Sequence, residues 1–120
     1  MLMAVLIACI SSEKGTFAHV AKVMSGESWD KIILVTSENP SAFQLPKPAE
    51  FVQINPAKNL QEIAQDIKSA IGERLKSEID VAVNFISGSG KEHMALLSAL
   101  LKLGVGIRLI ALTKEGVKEI

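Results

Sequence analysis

Five consecutive residues, Ser87-Gly88-Ser89-Gly90-Lys91, bring two hydroxyls, two glycines and an ammonium together, with His93 two positions on. Small side chains let backbone N–H groups approach a ligand closely. An apolar run, Val81–Ile86, leads into these residues and another, Met94–Leu103, leads away, so the turn joins a strand to a helix. A helix N-terminus carries unpaired donors and partial positive charge. Lys91 adds a full cation at the end where a helix ordinarily prefers an anion, which points to an anion from outside the chain. The plainer alternative is that Gly88 and Gly90 only let strand turn into helix. Two phosphate motifs are excluded by spacing: a Walker A loop needs Gly at Phe85 and Ser or Thr at Glu92, and G-x-G-x-x-G needs its third Gly at His93.

A second polar loop, Ser11-Ser12-Glu13-Lys14-Gly15, follows the apolar N-terminal run. His19 and His93 are the only imidazoles and could shuttle protons. His19 has a plain alternative, packing or facing solvent on a first helix, whereas the first-turn position of His93 aims it at the site. Glu13 and Glu92 flank the two loops as the only plausible carboxylate pair, beside Lys14 and Lys91. They tune local charge rather than hold Mg²⁺, and no Cys/His cluster has zinc spacing, so no metal and no cofactor are expected.

Alternating strands and helices must position these loops. Strands are expected over Met3–Ile10, Lys31–Thr36, Phe51–Ile54, Asp80–Ile86 and Ile107–Leu112. The first helix, Phe17–Met24, takes Thr16 as its cap and buries Phe17, Val20, Ala21 and Met24. Glu38–Ala49, with Pro40, Pro46 and Pro48, is a loop with at most one helical turn. Asn59 and Glu62 have capping-box spacing ahead of a helix that buries Leu60, Ile63, Ile67, Ala70 and Ile71. The last helix, Glu92–Leu103, ends at Gly104. Continuous apolar strands alternating with helices imply an α/β fold: a Rossmann-like, doubly wound, five-stranded, mainly parallel sheet in the order 3-2-1-4-5. That order makes strands one and four neighbours whose connections diverge, and ligands of open α/β sheets bind beyond the strand ends at such a switch point. The Ser11–Gly15 and Ser87–Lys91 loops should meet there.

With 120 residues the chain is read as one domain, 1–120, able to bury a core without staples. Its 13 basic and 13 acidic residues cancel, which argues against long nucleic acid as a partner. Cys9 is the only cysteine, so a disulfide framework is excluded and a reducing, cytoplasmic setting is expected. Leu6-Ile7-Ala8-Cys9 superficially looks like a lipoprotein cleavage box, but Leu2–Ile10 is too short to span a bilayer and has no basic residue before it. It reads as a buried strand, and no membrane association is expected.

The strand ending in Asn84, the turn Ser87-Gly88-x-Gly90-Lys91, the apolar helix Met94–Leu103 and the strand Ile107–Leu112 together resemble the second ligand motif of CARF domains. These are CRISPR-associated Rossmann-fold sensors of cyclic oligoadenylates. Strand one followed by Ser11-Ser12 resembles their first ligand loop. The likeness covers the whole chain in topology and is specific around Asn84–Met94. Three departures stand out: Ser89-Gly90 where Gly-Thr is more usual before the lysine, the acidic neighbour Glu92, and brevity, since a complete chain would be a stand-alone protein and a fragment would lack its effector.

The resemblance implies a stand-alone sensor of antiviral defence, or a ring nuclease in which a substrate 2′-OH attacks the adjacent phosphorus to give a 2′,3′-cyclic phosphate. In that reaction Lys91 and the Gly88–Gly90 amides would stabilise developing charge, and Ser11 or Ser12 would orient the 2′-OH or a phosphate. Glu13, Lys14, Gly15, Asn84, Ser87, Gly88, Ser89, Gly90 and His93 would line the ligand. A homodimer is implied, since a symmetric ring suits a two-fold interface, with the largely apolar Met94–Leu103 helix at or near it. The other reading is a non-catalytic module for a different nucleotide or phosphometabolite.

Overall fold

The computed structural model of the chain describes residues 4–120; Met3, expected in the first strand, lies outside them. Strand β1 (Val5–Cys9) is buried along its whole length, as a central parallel strand with both faces covered must be. Helix α1 (Lys14–Ser25) and strand β2 (Lys31–Thr36) follow, then a 3₁₀ turn at Pro40–Ala42 and strand β3 (Glu50–Gln53). Helix α2 (Leu60–Ile71), strand β4 (Asp80–Asn84), helix α3 (Gly90–Leu103) and the hairpin of β5 (Gly106–Thr113) and β6 (Gly116–Glu119) complete the fold.

The sheet runs β3-β2-β1-β4-β5-β6, all parallel except β6, and is consistent with a Rossmann-like arrangement. The expected five-strand order is therefore corrected to six strands, with β6 added antiparallel beside β5. A two-residue turn, Lys114-Glu115, makes the return. Gly116 takes φ 103°, and the Thr113 hydroxyl donates to the Gly116 carbonyl at 2.8 Å while accepting the Glu115 amide at 3.1 Å. Gly116–Glu119 has no apolar run to announce a strand.

Alternate strand residues feed two cores. Leu6, Ala8, Ile10 and Leu34 pack with Val20, Val23 and Met24 of α1. Ile7, Cys9, Ile33 and Val83 pack on the other face with Ile63 and Ile67 of α2 and Leu96 and Leu100 of α3. No α-helix joins β2 to β3; Phe43, Leu45 and Ala49 from that connection cover the α1-side core instead.

Several boundaries move for local reasons. Helix α1 starts at Lys14, because Glu13 rather than Thr16 is its cap. The Asn59–Glu62 capping box forms as expected, but Leu60 and Ala70 are exposed and Ala64 is buried in their place. Helix α3 starts at Gly90, capped by Ser89. Strand β4 stops at Asn84, whose side-chain oxygen accepts the Ile86 amide at 3.1 Å and turns the chain out of the sheet. Among the described residues no helix is long and apolar enough to cross a membrane.

Candidate functional site

Strands β1 and β4 pair in parallel from Leu6↔Ala82 to Ala8↔Asn84, so the segments leaving them emerge side by side at the carboxyl edge of the sheet. Ser87 joins them. Its hydroxyl is fully buried, accepts the Ser11 amide at 2.9 Å and the Thr16 hydroxyl at 3.1 Å, and pairs with the Ser11 hydroxyl at 3.0 Å. Two accepted bonds and one donated bond use everything a hydroxyl offers. Ser87 thus bolts the two loops together, and they meet at one place, called the crevice below, as the strand order requires.

The helix ends that face this crevice are partly filled by the chain's own carboxylates. Glu13 accepts the Thr16 amide at 2.9 Å and the Gly15 amide at 3.1 Å, and those bonds hold its carboxyl below the ordinary range. Glu92 is buried and accepts the Ser89 amide at 2.6 Å, while Ser89 Oγ accepts the Glu92 amide at 3.3 Å. This capping box places an acidic side chain of the chain itself at the amino end of α3. Gly88 makes room for it. At φ 91°, a Cβ there would sit 2.8 Å from Glu92 Oε1 and 3.2 Å from the Cys9 side chain. The Cys9 thiol is buried, and burial and then the nearby Glu92 push its pKa far up, so it stays protonated. The amides of Lys14, Gly90 and Lys91 lie in first helical turns, where no intrahelical acceptor exists.

Lys91 lies at the same end of the sheet as Ser11 but is turned away from the crevice. Its ammonium donates to the carbonyls of Pro56 (3.0 Å) and Lys58 (2.7 Å), fastening the turn before α2. The ammonium expected to serve a ligand phosphate is held here by these two carbonyls. Its position at the positive end of α3 is matched by two partial negative charges from the backbone.

The imidazoles and Asn84 are also engaged. His93 Nε2 donates to the Ser87 carbonyl at 2.7 Å, and its ring tilts against Phe85, so it braces the turn from behind. His19 Nε2 accepts the Leu112 amide at 3.3 Å and lies 3.2 Å from Asn84 Nδ2, which fixes the proton on Nδ1. Burial holds this imidazole below its ordinary pKa. Asn84 Nδ2 also donates to the Ile110 carbonyl at 2.8 Å. Asn84 and His19 therefore tie β4, β5 and α1 together under the crevice rather than lining it.

Ser12 is exposed at the mouth, and its amide donates to Glu38 at 2.9 Å. Thr16 and Glu38 were not among the candidates read from sequence. Thr16 looked like a helix cap, and Glu38 carried no signal beyond its place two residues after β2. Beside Ser12 opens a cleft of about 450 Å³, lined by Ser12, Phe17, Ser41, Ala42, Phe43 and Gln44.

Another cavity, about 230 Å³, lies at the amino edge of the sheet beside Ala4, Trp29 and Arg108. Arg108 there is already paired with Asp80 at 3.3 Å and Glu119 at 3.7 Å, and no switch point lies at that edge, so the carboxyl-edge crevice is the candidate site. Among the described residues no group of three His, Cys, Asp or Glu side chains could hold a metal ion. No family model, no curated protein and no solved structure matches the chain.

Proposed function

We propose that the chain is a nucleotide sensor that takes a cyclic oligoadenylate, or a related small nucleotide, in the crevice between the Ser11–Gly15 and Ser87–Gly90 loops. The observation that carries this reading is the Ser87 bolt: it brings together, at the switch point, two loops far apart in sequence. The likeness of Asn84–Met94 to a CARF ligand motif supports the ligand class. Ser11, Ser12 and the first-turn amides of Lys14, Gly90 and Lys91 supply the polar contacts. Glu13 and Glu92 limit how much further negative charge the crevice accepts. Binding without cleavage is favoured, because the only lysine of the Ser87 turn is committed to the Pro56 and Lys58 carbonyls. The working form is a homodimer in a reducing cytoplasm, with the exposed Met94 and Leu101 of α3 in the interface.

The test is calorimetric titration with cyclic tetra-adenylate and cyclic hexa-adenylate in EDTA, with chromatography of the recovered ligand. Saturable binding with the ring intact is expected. Linear products carrying 2′,3′-cyclic phosphate would replace the sensor by a ring nuclease. No binding of either ring would overturn the reading.

A further inference from the structure

Phe17 of α1, Phe43 of the β2–β3 connection and Phe51 of β3 form a ladder of nearly parallel rings. Centroids are 5.9 Å apart at 12° for Phe17–Phe43 and 6.1 Å apart at 14° for Phe43–Phe51. Phe17 and Phe43 are half-buried and line the cleft of about 450 Å³, whereas Phe51 is not part of its wall. The size falls in the range of small-ligand clefts. Aromatic walls of this kind receive flat π systems, because offset stacking suits both partners and every nucleobase has a π face.

The rest of the wall is polar at its rim. Gln44 is exposed, and no hydrogen bond engages its amide among the described residues, so it keeps a donor and an acceptor side by side. That pair matches the N6/N7 edge of adenine in the bidentate manner of Asn and Gln. The connection that carries these groups is held in shape: Glu38 receives the Ser12 amide, and Asn39 Oδ1 accepts the Ser41 amide at 3.0 Å and its hydroxyl at 2.9 Å. Ser12 belongs to both places. It lines the cleft, and its neighbour Ser11 is bonded to Ser87 in the crevice, so one ligand can span the two.

We propose that the cleft walled by Phe17 and Phe43 is a purine-binding subsite. The base extends the ladder by one rung, Gln44 reads its hydrogen-bonding edge, and the sugar passes over Ser12 into the crevice. This rests on the nucleotide reading given above for the crevice.

Adenosine, AMP and ribose 5-phosphate serve as probes, titrated by NMR into the wild-type chain, Phe17→Leu and Gln44→Ala. AMP should bind more tightly than ribose 5-phosphate by roughly five- to a hundredfold, the range for stacking one base on an aromatic wall. Phe17→Leu should remove most of that difference and leave ribose 5-phosphate unchanged. Gln44→Ala, at an exposed site where substitution ordinarily changes stability little, should weaken AMP and adenosine severalfold and leave ribose 5-phosphate unchanged. Shifts on adenosine binding should centre on Ser41–Gln44. If wild type binds AMP and neither variant changes it, the subsite is wrong and the crevice reading stands. If adenosine occupies the cleft but neither cyclic adenylate binds, the subsite stands and the sensor reading falls. If neither these probes nor the cyclic adenylates bind, both fall.

Discussion

Removing the Ser87 hydroxyl should loosen the crevice more than any other single-atom change there. In Ser87→Ala the Ser11 and Thr16 hydroxyls can turn elsewhere; Thr16 Oγ1 already lies 3.4 Å from the Glu13 carbonyl. The Ser11 amide, fixed by the exit of β1, cannot turn. Stranding a buried donor costs about 1–3 kcal/mol, and losing an ordinary hydrogen bond about 0.5–1.5 kcal/mol net. Since the Ser11 residue is only partly buried, water recovers some of this, and the total should be about 2–3 kcal/mol. For a chain of 120 residues, at about 2.1 cal/mol/K of unfolding entropy per residue, this lowers Tm by about 8–12 °C. Thermal and urea unfolding of wild type, Ser87→Ala, Thr16→Val and the double variant would measure the Tm shift and the free energies. The double-mutant cycle should return a coupling of about 0.5 kcal/mol or more between residues 16 and 87. A Tm drop under about 2 °C, with additive single effects, would refute the idea that Ser87 holds the loops together.

Three further outcomes follow from the same geometry. Lys91→Ala should speed amide exchange at Ala57 and Lys58, whose turn it fastens, and should change AMP affinity less than threefold; a tenfold loss of affinity without faster exchange would return Lys91 to the ligand. Gly88→Ala should destabilise by about 1–3 kcal/mol in urea, since it combines a positive φ with a Cβ pressed between Glu92 and Cys9, and an unchanged midpoint would contradict the packing described. His19 is held neutral, so its contribution is fully present above its ordinary pKa of about 6.5 and is lost as pH falls below it, when the unfolded chain takes the proton first. Glu13, whose carboxyl is lowered, acts likewise from about pH 4.5 downward; unfolding curves of His19→Gln should be flatter than wild type between pH 7 and 5, and identical slopes would show that His19 does not titrate with folding.

The strand sequence of the parallel region was legible because its signals are long-range and redundant. Val5–Cys9, Ile32–Val35 and Val81–Val83 are continuous apolar runs that only a doubly covered sheet can bury, and right-handed crossovers then restrict their order. The meeting of the Ser11 and Ser87 loops follows from that order. Strand β6 was hidden because an edge strand of four residues has one half-exposed face and little hydrophobic pattern to betray it. The direction of Lys91 was hidden for another reason. Its acceptors are backbone carbonyls, which every residue carries, so nothing in the residue types of Pro56–Lys58 marks them as partners. The role of Glu92 was legible in principle from Ser89-x-x-Glu92 spacing, the same pattern that identified Asn59 and Glu62, but the apparent appeal of Lys91 for an external anion masked it. The aromatic ladder joins residues 17, 43 and 51 from three elements, a proximity that no local window contains.

The β1–β4 pairing also bears on how the molecule comes apart. Strand β1 pairs with β2 from Val5 to Cys9, but with β4 only from Leu6 to Ala8, and the partners there are about 76 residues apart in the chain, as Ser11 and Ser87 are. Closing such a seam costs the entropy of the long intervening loop, so hydrogen exchange should find it among the first parts of the sheet to open. A molecule bound over Ser11 and Ser87 therefore acts as a suture across the two halves. Its presence should be felt in the exchange of amides deep in β1 and β4 that it never touches.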